Sequence, residues 1–115
     1  MEDIEDIPKF WFKNDAYMKR RGAPVMLIVR CAECNAYVMS YQKDGPGPLL
    51  RCYLDRIHHP ENLEKRQYEL FQKKTALKLA CPVCHVVIGS PFIYEKEDRS
   101  AYHLRLGFFV SERIY

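Results

Sequence analysis

The chain has 115 residues, a formal net charge of +3, and 48% hydrophobic and 13% aromatic residues. That length has room for one domain and not for two independent cores, and the apolar share excludes a chain disordered along most of its length. No apolar run approaches the ~18–20 residues of a membrane span, and the mild positive charge permits an acidic partner without requiring one.

Residues 1–24 read as an N-terminal arm. The acidic start Met1-Glu2-Asp3-Ile4-Glu5-Asp6 is unlike the basic start of a secretory signal. Phe10-Trp11-Phe12 comes next, then Lys19-Arg20-Arg21, and Gly22-Ala23-Pro24 closes the segment. Aromatics so clustered are expected to dock on the domain or on a neighbouring subunit, because leaving them wet is unfavourable. A frayed leader is the alternative. Residues 25–115 read as the domain itself.

Val25-Met26-Leu27-Ile28-Val29-Arg30 predicts a buried strand, and Ala36 to Gln42 a second. Lys43-Asp44-Gly45-Pro46-Gly47-Pro48 is a dense turn signal. Leu49 to Leu54 predicts a third strand, so this half reads as an antiparallel meander. Leu63, Leu70 and Phe71, with Pro60 at the first helical position, predict one short helix within 61–74; an irregular surface excursion is the other reading. A half-exposed strand is expected over 76–80, and Val86-Val87-Ile88-Gly89 predicts another. Gly89-Ser90-Pro91 should interrupt the pattern before Phe92-Ile93-Tyr94 resumes it. A last strand is expected from Tyr102 to Val110. The fold class is mainly β, a small antiparallel sheet domain.

Two stretches carry chemistry. Cys31-Ala32-Glu33-Cys34 and Cys81-Pro82-Val83-Cys84 are C-x-x-C pairs, together the ligand set of a closed tetrahedral Zn²⁺ site. Two intervening residues let the backbone form a knuckle that turns both sulfurs to one ion. Asn35 and His85 stand where such a knuckle needs φ > 0, and after Gly the residues that best tolerate this are Asn, Asp and His. Between Cys34 and Cys81 lie 46 residues, against the ~15–20 of a compact ribbon. Two separate hairpins must therefore meet in space, and one structural ion would tie them. A redox dithiol and plain buried cysteines are the competing readings; a redox C-x-x-C is expected once, at a helix N-terminus, and here the pair occurs twice between strands. Four thiolates leave no position for water, so such an ion would not be hydrolytic.

Cys52 is the odd thiol. It would serve a thiol enzyme if His58, His59 or His103 assisted it, but its place among Leu50, Tyr53 and Leu54 suits a small buried hydrophobe. His58 and His59 are adjacent on the chain and point apart on a strand, so joint ligation is not expected. His85 stands where it would donate to a thiolate from outside the ligand set. Arg51, Tyr53 and nearby lysines offer the mixture that carries RNA or single-stranded DNA by stacking and phosphate contacts. Further along, Lys65, Arg66 and Lys73 share their segment with Glu61, Glu64 and Glu69, which favours a solvated face instead.

The paired knuckles on distant hairpins, with Cys81-Pro82-Val83-Cys84 leading into Ile88-Gly89, resemble the Mss4-like or β-tent group of zinc folds, over roughly residues 27–110. Yippee proteins, the cereblon ligand-binding domain and the regulatory domain of RIG-I-like RNA helicases belong to that group. The resemblance is to the group and not to one of its families. The cereblon-type pocket uses several tryptophans, and Trp11 in the arm is the only one here. The group's methionine sulfoxide reductases carry a late catalytic cysteine, and no cysteine comes after Cys84. What the resemblance implies is a zinc-held β fold used for binding, with no catalytic residue carried over. The expectation is thus a cytoplasmic adaptor or binding module for a protein or small-molecule partner, with nucleic acid as the alternative partner and no membrane. An odd thiol is unremarkable in a reducing compartment.

Overall fold

A computed structural model describes residues 12, 13, 15–66 and 78–115. Its elements in chain order are α1 (Ala16–Arg21), β1 (Pro24–Cys31), β2 (Tyr37–Asp44), β3 (Arg51–Tyr53), a 3-10 turn (Leu54–Arg56), β4 (Ile57–His59), α2 (Glu61–Glu64), β5 (Leu79–Ala80), β6 (Val87–Tyr94), β7 (Arg99–Leu104) and β8 (Phe109–Arg113). The strands form two four-stranded antiparallel sheets, β4-β2-β1-β8 and β3-β7-β6-β5. The mainly β reading holds. No helix of the described residues is long and apolar enough to cross a membrane.

Strand β1 is central to the first sheet, and its unbroken Met26–Val29 run is buried on both faces. Leu27 and Val29 join Met39 and Tyr41 of β2 in a core shared with Cys52, Leu79, Ile88 and Tyr102 of the second sheet. On the other face of the first sheet, Met26, Ile28, Ser40 and Gln42 are also fully buried. There the Gln42 carboxamide exchanges two hydrogen bonds with the Lys13 backbone, at 2.7 and 2.9 Å. Phe10 and Trp11 of the aromatic cluster lie outside the described residues.

The predicted meander is corrected. After β2 the chain leaves the first sheet: β3 pairs with β7, not β2, and the chain then returns as β4 beside β2. It crosses again to β5 and, after β7, a last time to β8. The hydrophobic pattern of 49–54 records burial on a sheet and is silent about which sheet.

Two further strand boundaries differ from expectation. Gly89-Ser90-Pro91 does not interrupt β6, which runs through to Tyr94 with Pro91 opposite Tyr102. Strand β5 covers β6 only as far as Gly89, so Pro91 sits on a described edge where a missing N–H breaks no ladder. Nor is 102–110 one strand. Gly107 at φ +89 turns the chain after Leu104, and β8 pairs with β1 in the other sheet. Helix α2 begins after Pro60, which is the cap and not the first helical residue, and buries Leu63. The remainder of the expected 61–74 helix beyond Arg66, and residues 76 and 77 of the expected strand, lie outside the described residues.

Opposite the knuckles, α1 fastens the far end. Asp15 caps it by accepting from the amides of Tyr17 and Met18, and Gly22 at φ +118 ends it. Lys19, Arg20 and Arg21 fill its last turn, where the exposed carbonyls favour cations.

Candidate metal centre

The two knuckles are built alike on different sheets. At the end of β1, Cys31 N–H donates to the Ala36 carbonyl at 2.9 Å and Asn35 N–H to the Cys31 carbonyl at 2.8 Å. After β5, Cys81 N–H donates to the Val86 carbonyl at 2.9 Å and His85 N–H to the Cys81 carbonyl at 3.0 Å. Asn35 and His85 adopt φ +64 and +69, the left-handed backbone their positions were expected to need. Each hairpin also slips register just before its first cysteine, at Val29/Arg30 and at Leu79/Ala80. Such an irregularity bends the strand and re-aims the side chains beyond it.

The result is a cluster of Cys31, Cys34, Cys81 and Cys84 whose sulfurs all lie within 4.8 Å of one another. Cys31 Sγ is 3.6 Å from Cys84 Sγ, and Cys34 Sγ is 3.5 Å from Cys81 Sγ. These are far beyond a disulfide bond, ~2.05 Å. They approach the ~3.8 Å edge of a tetrahedron drawn around an ion with metal–sulfur bonds near 2.3 Å. The four-cysteine cluster therefore fits one metal ion. Cys31 and Cys81 are buried, while Cys34 and Cys84 face solvent.

Electrostatics point the same way. Burial pushes the Cys81 thiol up, but amide donors from Cys84 and Val83, at 3.4 Å each, and the thiols of Cys34 and Cys84 outweigh it and bring the group down to about 6. At Cys84 the Val86 amide works downward, yet burial and the thiols of Cys31, Cys34 and Cys81 win and push it up to about 12. Four sulfurs this close do not all ionise on their own. A divalent cation among them would turn mutual repulsion into attraction. No family model, curated protein or solved structure matches this chain. The centre is read from its own residues.

The other singled-out residues lie elsewhere. Cys52 is fully buried with its Sγ 3.5 Å from Met39 Sδ, and burial pushes its thiol well up. That is the reverse of what a nucleophile needs. His58 Nε2 lies 3.0 Å from Gln42 Oε1, whereas His59 Nδ1 lies 2.8 Å from the Tyr37 hydroxyl, so the two rings serve different partners. His103 is exposed on β7 and packs its ring against Phe92. His85 is exposed, and the donors that reach the sulfurs are backbone amides.

Sequence reasoning missed a second cluster at the far end of both sheets. Arg56, with 1% of its side chain exposed, donates to Asp44 Oδ2 at 2.8 Å and Asp15 Oδ1 at 2.5 Å. Arg99 donates to Asp55 at 2.7 Å and Glu97 at 3.0 Å, and its guanidinium lies between the Tyr53 and Tyr17 rings, 3.8 and 4.0 Å from their centroids. Glu97 also takes Arg20 and Arg21 from α1. Lys13 Nζ donates to the Asp55 carbonyl. An arginine in a charged sequence reads as surface, and only the three-dimensional partners reveal these two as core.

Proposed function

We propose that Cys31, Cys34, Cys81 and Cys84 hold one structural Zn²⁺, and that the protein is a zinc-held β domain acting as a binding or adaptor module. The observation that carries this is the meeting of four sulfurs from two knuckles, one on each sheet. An all-thiolate set selects zinc over hard cations such as Mg²⁺ or Ca²⁺. It leaves no open position at which water would be activated, so the role is mechanical. Thiolate ligands also call for a reducing compartment, which favours the cytoplasm. The likeness to the Mss4-like or β-tent group is supported by two antiparallel sheets that each present a knuckle at one shared end.

The rival readings draw less support. Tyr53 keeps 6% of its surface exposed, and Arg21, Arg51 and Arg99 stand over its ring, so it offers no face on which a base would stack. A thiol enzyme using Cys52 would need an accessible, ionisable sulfur.

Substituting Cys31→Ser or Cys84→Ser tests the proposal by elemental analysis and thermal unfolding. Loss of the bound zinc together with a lower melting temperature is expected. Full zinc loading with unchanged stability would overturn it.

A further inference from the structure

At the end of the molecule away from the cysteines, the Gly45–Leu50 turn, the last turn of α1 and β3 enclose a pocket of about 210 Å³. Strand β1 separates the two regions: Pro24 pairs with Asp44 at the pocket end, and Cys31 closes the same eight-residue strand. That is over 20 Å at ~3.3 Å per residue. Among the described residues four cations line the hollow, Arg21, Lys43, Arg51 and Arg56, with Asp44 as the one lining carboxylate.

Two of these cations already have carboxylate partners among the described residues, and two do not. Arg56 takes Asp44 and Asp15. Arg21 shares the single carboxylate of Glu97 with Arg20 and Arg99, and its Nε is buried with no acceptor among the described residues. Lys43 donates to a neutral group, the Gly45 carbonyl, at 2.6 Å. Arg51 rests on ring faces, 4.2 Å from the Tyr94 centroid and 5.8 Å from that of Tyr53. Among the described residues neither Lys43 nor Arg51 has a carboxylate within ion-pair distance. Burial and the Arg21 charge both disfavour the Lys43 ammonium, against a weaker upward pull from Asp44. The rim is apolar, formed by Pro46, Pro48 and the exposed Leu50.

We propose that this pocket binds a small phosphate monoester, with the phosphate between Lys43 and Arg51 and the ester group against Leu50 and Pro46. A phosphate monoester carries close to two negative charges at neutral pH, which matches two unneutralised cations better than a single carboxylate does. Its several oxygens suit the fork of an arginine and the point charge of a lysine together. A hollow of this size takes a small molecule and not a folded surface. The inference rests on the binding-module reading above and supplies a ligand class for it.

The test is a two-dimensional NMR titration of the zinc-loaded full chain with inorganic phosphate, phenyl phosphate and acetate, at matched ionic strength in chloride. Saturable shifts are expected for both phosphates at Lys43, Gly45, Gly47, Leu50 and Arg51, tighter for phenyl phosphate, with the knuckle amides unmoved. Lys43→Gln and Arg51→Gln should each weaken binding about tenfold or more, the loss of one hydrogen bond to a charged group. Lys78→Gln, an exposed lysine outside the pocket, should leave it unchanged. Acetate binding as tightly as phosphate, shifts scattered over all basic residues, or pocket variants that bind like the parent would overturn the assignment. Zinc content measured on the same sample separates the two levels. A zinc-loaded, folded chain that ignores phosphate sinks the pocket alone, and a folded chain without zinc sinks the reading beneath it.

Discussion

His58 shows how one side chain reports on its surroundings. Burial and the nearby cations Lys13 and Arg56 bring its pKa down from 6.5 to about 4, against a weaker upward pull from Asp44. Folded, the ring resists a proton that the unfolded chain accepts near pH 6.5, so the unfolded state binds more protons between those values. Stability should thus fall as pH drops from about 6.5 toward 4 and stay level above that window. His58→Gln removes this titration while keeping a donor for Gln42. The stability advantage of the parent over the variant, measured by denaturant unfolding, should shrink from pH 7.5 to pH 5. Loss of zinc in acid affects both proteins alike and cancels in the difference; parallel pH curves would refute the account. Among single residues, Asn35 and His85 announced their backbone from sequence, because few side chains tolerate positive φ. Arg56 and Arg99 did not, since nothing along the chain says that Asp15, Asp44, Asp55 and Glu97 will surround them.

Between elements, the tightest constraint is the seat of α1 on the turn after β2. A Cβ at Gly45 would stand 2.2 Å from the Arg21 carbonyl oxygen, and Gly45 has φ +83. Gly47 has φ +104 with nothing within 4 Å. Gly45→Ala should therefore destabilise by about 2–4 kcal/mol, from strain and collision together. Gly47→Ala should cost about 1–2 kcal/mol, from strain alone. Equal thermal shifts for the two would mean that α1 does not bear on the turn. The element positions themselves were largely legible: β1 and β2 cover most of the apolar runs that predicted them and extend one or two residues beyond, and β3 lies inside its run. What local pattern left open was pairing. A run such as Leu49–Leu54 buries the same faces in either sheet, and a lone Gly107 amid Leu106, Phe108 and Phe109 does not advertise that a strand has ended.

For the molecule as a whole, two dissimilar clusters bridge the sheets, and with zinc in the first both would act as fasteners. At one end stand four sulfurs, and at the other a lattice of arginines and carboxylates with α1. A structural zinc contributes an apparent ~10–16 kcal/mol in small finger domains, as much as the whole stability of many proteins. Chelation should accordingly unfold the chain, and Cys52 gives the readout because it is buried between the sheets. Its alkylation should be slow in the metal-loaded protein and approach the rate of a free thiol once a chelator is added. Rapid alkylation before chelation, or none after it, would show that the core does not depend on the metal. The spacing of the cysteines made this centre readable at a distance of 46 intervening residues. The opposite fastener has no comparable signature, because ion pairs form between any oppositely charged residues that folding brings together.

Strand β8 pairs with β1, residue 113 against residue 27, and Ile114 and Tyr115 continue the ladder at Met26. Of the described strands β1 is the earliest along the chain and β8 the latest, so this pair closes only after the other six have been made. Until then the Leu27–Cys31 backbone presents bare amides beside a strongly apolar sequence, a template for any passing chain. A chain cut short before Phe109 would keep all four knuckle cysteines but have an open seam, prone to stack into aggregates rather than merely to lose a few surface residues.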